Sequence, residues 1–592
     1  QKLFYLKIEI INKFIERKNN NCSIKLCVQN DGTLKENTMK GADILINCLL
    51  EQGVDTIFGY PGGTVLDIYD ALYRNGKINH ILTAHEQGAA HAADGYARVT
   101  GKTGVCFATS GPGATNLVTG IATAYMDSIP LVAITGNVGI SLLGRDSFQE
   151  IDICGITMPI TKHNFIVEDV KELADTVRKA FYIASSGRKG PVLIDILKNV
   201  QTDECEYSPK KPEKYSPHTV SAQKVEEALS AITASKKPVI IAGGGVISAN
   251  ASDLLKELAD KLDCPVVYTL MGKGCIPDSD AHCLGMLGMH GTVAAARAIM
   301  NSDTIIALGT RFSDRVALNR DMFAKNKTVI HIDIDNAEID KNVHSNIHIM
   351  ADLYNALSTI LPELERADRA EWLKQANAWK AEEKLKKDTN YLAYKIISKA
   401  SELAPKDIPV VTDVGQHQMW TAQHYHIDKP RLFCSSGGLG TMGYGMGAAI
   451  GACFGTGKPA VLITGDGCFN MNLNELSTAV TQGTPIVILL MNNGVLGMVR
   501  QWQKIFYGRR FSQTTLHKKT DYVKFAESFG AKGLRIESEK DVERVLKEAF
   551  AYMKKGEGPV LVDCHISGDE NVLPMIKPGM TYDTQLLKME EN

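Results

Sequence analysis

The stretch from Gly465 to Asn493 constrains this chain more than any other. Gly465-Asp466-Gly467-Cys468 is followed by a helical run to Thr484, then by an apolar segment that closes on Asn492-Asn493. Ala460 to Thr464 and Ile486 to Met491 are short apolar runs of strand type, and between them Leu473, Leu476, Ala479 and Val480 recur at helical spacing. The pattern predicts a β-loop-α-β unit whose polar residues sit at the carboxyl ends of strands, where ligands bind in open α/β sheets. Glycines on both sides of Asp466 let backbone approach a phosphate closely. One carboxylate and one Asn carbonyl are too few for a Ca²⁺ cage, but they suit Mg²⁺, which completes its shell from water and phosphate oxygens. An isolated Asp-Gly is more often a plain tight turn; the Asn pair at the end of the next strand tips the reading to a Mg²⁺-diphosphate.

The 592 residues are too many for one core, and two to four domains are expected. A net charge of −2 provides no field to draw the chain to nucleic acid or a membrane surface. The 13 cysteines are scattered without a CxxC pair, and Cys106, Cys453 and Cys564 fall in apolar runs, which reads as reduced thiols in a cytoplasmic protein. No apolar run reaches the roughly 18 residues of a membrane span. Residues 1–38 are rich in Lys, Asn and Ile and differ from the patterned sequence that starts at Met39; the expectation is a leader, disordered or non-native.

From Met39 onward strands and helices alternate, which predicts an α/β fold of parallel sheets with helices on both faces, in three doubly wound domains. The first is read over 39–205, the second over 218–360 and the third over 385–592. Thr202 to Pro217 and the charged helical stretch Leu361 to Asp388 are read as linkers. Glu86 lies where a strand meets an Ala/Gly-rich helix, a place where Glu ordinarily serves the helix dipole. Ser110 to Asn116 is a Gly-rich strand-to-helix loop, a weak phosphate-loop signal. Asp333 and Asp335 lie near a strand's carboxyl end, but with no GxGxxG a standard dinucleotide site is not expected.

Gly465–Gly467 with Asn492-Asn493 resembles the thiamine-diphosphate motif. Seven further segments occur in order with it: His85–Arg98, Phe148-Gln149-Glu150, Lys198, Gly288–Thr292, Arg311–Arg315, Val414–Trp420 and Leu496–Trp502. Together they resemble the catalytic subunits of the acetohydroxyacid synthase (acetolactate synthase) family, in its FAD-containing biosynthetic branch, from Met39 to about Leu587. The resemblance implies that Asp466, Asn493 and the Val495 carbonyl hold the metal, and that the Glu86 carboxyl meets N1′ of the cofactor's pyrimidine. Gln416 and His417 would meet the diphosphate. Gly440, Thr441 and Met442 would meet the pyrimidine, with Met442 as a wedge, and Gly467 and Cys468 would also touch thiamine diphosphate. Arg188, His290, Arg311, Asp333 and Asp352 are its FAD candidates. Gln149, Lys198, Arg315, Met498 and Trp502 join Glu86 as candidate catalytic residues, Trp502 selecting the acceptor keto acid.

The implied reaction joins two pyruvates, or pyruvate and 2-ketobutyrate, with loss of CO₂, the first common step of valine, leucine and isoleucine biosynthesis. Implied partners are small 2-keto acids, a second copy of the chain in a homodimer or homotetramer, and a small regulatory subunit. The sequence departs from the family pattern at Leu197-Lys198-Asn199 (usually Pro-Lys-Asp), at Met446-Gly447 (usually Leu-Pro) and at Ser313 (usually Asp). None of these removes a functional side chain.

Overall fold

The computed structural model describes residues 38–588 apart from 218, 387–390 and 518. The leader expected over residues 1–38 lies outside them up to residue 37. The chain folds around three six-stranded sheets in which every neighbouring pair is parallel. Strands such as Ile486–Asn492 are apolar on both faces because helices cover both sides.

The first sheet runs Asn79–Leu82, Thr56–Gly59, Gly104–Ala108, Leu131–Asn137, Pro191–Leu197, His163–Val167. The third runs Phe433–Cys434, Val410–Thr412, Ala460–Gly465, Ile486–Asn492, Val560–His565, Lys532–Ile536. Both place their first strand beside their third, so the order reverses there and a crevice opens past the strand ends. The middle sheet runs Cys283–Met286, Val266–Tyr268, Pro238–Ala242, Thr304–Leu308, Thr328–Asp333, Ile347–Met350. This is the strand order of dinucleotide-binding sheets, reached without their glycine fingerprint.

The first and third units meet through two helices, Glu86–Thr100 and Gly445–Thr456. Gly447, Gly451 and Gly455 form a stripe at four-residue spacing. Added methyls there would run into the Gly88 carbonyl, the Ala92 carbonyl and the Val99 side chain in turn. The two backbones touch because the stripe has no side chains. A buried polar network sits beside this crossing. Arg98 pairs with Asp94 at 2.5 Å and Asp127 at 2.8 Å, and the Tyr444 hydroxyl donates to Asp94 at 2.7 Å.

Two stretches read as linkers are built into the fold. Glu204–Glu206 pairs antiparallel with Thr38–Lys40. Helix Ala370–Lys386 packs on the middle unit, where Trp372 is buried and its indole N–H donates to the Pro238 carbonyl at 2.9 Å. Its abundant charges conceal the apolar series Trp372, Ala376 and Trp379, spaced four and three apart on one face. The Gly-rich loop from Ser110 runs into two successive helices, Pro112–Asn116 and Val118–Asp127. The C-terminal segment returns to the middle unit, burying Met575, Ile576 and Tyr582 in its core.

Candidate functional site

Asp466 opens a short helix at the end of the central strand of the third sheet and is buried. Asn493 follows the neighbouring strand, and its side-chain oxygen accepts from the Val495 N–H at 3.0 Å. Asp466, Gly467, Cys468, Asn493 and Val495 line one small cavity together with Gln416 and His417. Gln416 is held by donating to Gln501 at 3.1 Å and to the Glu570 carbonyl at 2.8 Å, and it accepts from Asn493 at 3.4 Å. His417 is buried with its Nε2 unpartnered, and burial pushes its pKa down to about 3. The Cys468 thiol points at the Val414 carbonyl at 3.0 Å, and burial drives its pKa well up, so it is an inert thiol here.

Among the described residues no three His, Cys, Asp or Glu side chains gather to hold a metal. The donor set at this cavity is one carboxylate, one amide and one main-chain carbonyl, with an orphaned imidazole nitrogen beside them. Oxygen donors this few fit Mg²⁺ bound together with a diphosphate.

A second cavity of about 750 Å³ adjoins the first. All five FAD candidates line it: Arg188, His290, Arg311, Asp333 and Asp352. Gly244, Gly245 and Gly309 bring main chain to its wall where the middle sheet reverses order. Arg188 pairs with Asp335 at 3.0 Å and Glu338 at 2.6 Å. Burial raises the Asp333 carboxyl to about 6 and lowers His290 to about 4, and His290 sits 3.3 Å from the Pro574 carbonyl. Asp352 caps helix Leu353–Glu363 by accepting from the Tyr354 N–H at 2.9 Å. The volume, the arginines and the glycine wall fit a large anionic ligand such as a dinucleotide.

Arg315, Met498 and Trp502 line the same cavity, with Gly440 and Met442 from the Gly-rich turn. The Arg315 guanidinium lies 5.8 Å above the Trp502 ring, and the indole nitrogen is buried without a partner. Met442 and Met498 line both cavities and so join them. Thr441 is buried, its hydroxyl 2.7 Å from that of Thr123.

Glu86, Gln149 and Lys198 lie elsewhere, along the carboxyl-end edge of the first sheet. Glu86 begins helix Glu86–Thr100, is buried, and accepts from the Asn116 amide at 2.9 Å. Gln149 has a left-handed backbone, φ 60°, against Gly111. Lys198 pairs with Asp67 at 2.5 Å. None of the three is among the residues lining either cavity.

The motifs did not single out four polar residues that hold these elements. They are Asn116 on Glu86, Gln501 on Gln416, Asp127 on the Gly437 and Gly438 N–H groups, and Glu475 on the N–H groups of Ala84 and His85. The contacts of Glu475 and Asp127 cross hundreds of residues and have no local pattern. Gln501 carried a faint signal, as a polar residue inside the apolar helix spacing of Met498 and Trp502.

Three segments of the chain match the thiamine pyrophosphate enzyme family: its N-terminal TPP binding domain over 39–156, its central domain over 225–360 and its C-terminal TPP binding domain over 413–564. The chain is 48% identical to the acetolactate synthase large subunit of Mycobacterium tuberculosis (strain CDC 1551 / Oshkosh), covering 92% of this chain and 91% of that protein. It is 46% identical to a probable acetolactate synthase large subunit of Methanocaldococcus jannaschii, covering 93% and 96%. With isozyme 3 of the Escherichia coli (strain K12) acetolactate synthase large subunit the identity is 42%, over 93% and 99%.

Proposed function

Since the chain belongs to the acetolactate synthases, within the thiamine pyrophosphate enzymes, we propose how its residues divide that reaction. The enzyme condenses two pyruvates, or pyruvate with 2-ketobutyrate, releasing CO₂ to form 2-acetolactate or 2-aceto-2-hydroxybutyrate, in branched-chain amino-acid biosynthesis. Bound thiamine diphosphate supplies the electron sink that makes loss of CO₂ feasible.

Asp466, Asn493 and the Val495 carbonyl would hold Mg²⁺, and Gln416 and His417 the diphosphate, with Gly467 and Cys468 as the floor. His417 is apt because it is a buried imidazole with an unpartnered ring nitrogen on the wall of that cavity. Gly440, Thr441 and Met442 would seat the pyrimidine, and Glu86 would hold a proton at its N1′. Arg315 receives the carboxylate of the second keto acid, and Met498 and Trp502 shape the apolar wall around its side chain. Gln149 and Lys198 close the site from the side of Glu86. Arg188, His290, Arg311, Asp333 and Asp352 would hold FAD, which takes no net part in electron transfer.

The observation that carries this reading is the junction of the two cavities at Met442 and Met498, with Arg315 and Trp502 stacked beside it. An acceptor pocket next to the cofactor turn suits carboligation. A flavin used as oxidant would instead need electrons passed on to oxygen or a carrier. Measuring acetolactate formed from pyruvate together with oxygen uptake tests this: acetolactate without stoichiometric oxygen consumption is expected, and oxygen uptake matching pyruvate consumption would replace the reading with an oxidase.

The named relatives are large subunits, so a small regulatory subunit is proposed as a partner. Among the described residues no helix is long and apolar enough to cross a membrane, in keeping with a cytoplasmic setting. The separation of Glu86, Gln149 and Lys198 from the cavity residues supports a homodimer, or a homotetramer built from it, in which two chains complete each site.

A further inference from the structure

Glu475 is a wholly buried acid whose hydrogen bonds come from neutral donors. Its carboxylate accepts from the Ala84 N–H at 3.2 Å, the His85 N–H at 2.9 Å and the Thr478 hydroxyl at 2.7 Å. Burying an acid is costly unless such bonds are made, and its helix is already anchored by Leu476 and Ala479 in the core. The two amides belong to the residues directly before Glu86, at the turn where strand Asn79–Leu82 gives way to helix Glu86–Thr100. On the near side the His85 imidazole caps the Gln87 N–H at 3.0 Å. From the far side Glu475 arrives on helix Glu475–Thr481, which continues out of the turn that carries Asp466. Gly88 makes the room: a methyl there would overlap the Glu475 carboxylate.

We propose that Glu475 is a positioning residue for Glu86, fixing the turn that presents the Glu86 carboxyl from the element that carries the metal-site aspartate. This rests on the reading of Glu86 as the group at the pyrimidine N1′. A backbone shift of about 1 Å at a catalytic group can cost on the order of 100-fold in rate, and the main chain at Ala84 and His85 sets where Glu86 begins.

The test is Glu475→Gln in the full chain with thiamine diphosphate and Mg²⁺. The amide keeps the volume but turns an NH₂ toward a backbone N–H. Expected is a fall in kcat of about tenfold or more, with KM for pyruvate and calorimetric cofactor affinity within about threefold. Exchange of the cofactor's thiazolium C2 proton with D₂O, followed by NMR, should slow in parallel with kcat. Gly88→Ala pushes a methyl into the same carboxylate from the opposite side, so it should give the same split, and the double variant should be no slower than the slower single one. Wild-type exchange in Glu475→Gln, or lost activity accounted for by weaker cofactor binding, overturns the role. Glu86→Gln measured alongside separates the two readings. Wild-type exchange there would defeat the Glu86 assignment itself, whereas slow exchange there with normal exchange in Glu475→Gln defeats only the positioning. If Glu475→Gln does not fold, Thr478→Val removes one donor to the carboxylate, and slowed or unchanged exchange decides in the same way.

Discussion

One oxygen of Glu86 accepts from Asn116, and the other faces Gly113. Gln at position 86 can still accept the Asn116 bond, so Glu86→Gln should fold and bind cofactor. It cannot share a proton at N1′, and turnover should fall below about a tenth of wild type; a higher rate in steady-state assays would remove Glu86 from the chemistry. In the proposed division of roles Trp502 would act by shape instead. Its ring lies under Arg315 and packs edge-on against Phe506 at 5.5 Å. Discrimination of one methylene by an apolar wall is worth about 1–3 kcal/mol, so Trp502→Leu should keep acetolactate formation while shifting the preference for 2-ketobutyrate over pyruvate by about tenfold. Competition between the two acids reads this directly, and an unchanged product ratio in an active variant would make Trp502 ordinary core. The placement of Glu86 at a helix start and of Asp466 and Asn493 at neighbouring strand ends was readable in the sequence, because each follows from a local pattern of strand and helix. Asn116, Asp127 and Glu475 were not, because their partners are chosen by the packing of distant elements and their immediate neighbours carry no trace of it.

At the scale of elements, the crossing of Glu86–Thr100 with Gly445–Thr456 joins the helix that starts at Glu86 to the helix that follows the Gly440–Met442 turn. Helix propensity alone favours Gly451→Ala by about 1 kcal/mol. The added methyl would collide with the Ala92 main-chain carbonyl, which has no rotamer through which to retreat, and overpacking typically costs about 1–3 kcal/mol. The clash should win: Gly451→Ala is expected to lower the unfolding temperature and weaken thiamine diphosphate binding, by thermal scanning and calorimetry. A stabilised variant with normal binding would mean the helices part freely. The sequence was legible here only in part. An apolar, glycine-dense run is compatible with a helix such as Gly445–Thr456, but a stripe of glycines does not say which helix will lie on it. The same limit explains Ala370–Lys386, whose charge count suggested a linker while Trp372 was reaching across to the Pro238 carbonyl. The two strands that bound the unit from Ala460 to Asn492 were legible, because a buried parallel strand has to be an unbroken apolar run, whereas the expected loop between them closes into a short helix at Asp466.

For the molecule as a whole, the candidate residues form two groups. Glu86, Gln149 and Lys198 lie at the edge of the first sheet, and the other candidates lie in or beside the two joined cavities. Near the first group several apolar side chains reach the surface, with Phe148 87% exposed and Tyr60 and Leu82 also exposed. Exposed apolar side chains beside candidate residues that lie apart from both cavities are the kind of surface a second copy would cover. In a closed two-fold dimer, each Glu86 would then serve the Asp466 turn of the partner. Glu86→Gln and Asp466→Ala should each be inactive alone, the second through loss of Mg²⁺-dependent cofactor binding. A chain with one defect paired with a chain carrying the other would hold one site with both defects and one with neither. After unfolding and refolding in equal mixture, half the dimers are mixed and each has one intact site, so activity should return to about a quarter of wild type. Sedimentation velocity should find a dimer or larger assembly in the active fraction. If each site were built within one chain, every chain in the mixture would stay defective, and no activity would return even with subunits fully exchanged.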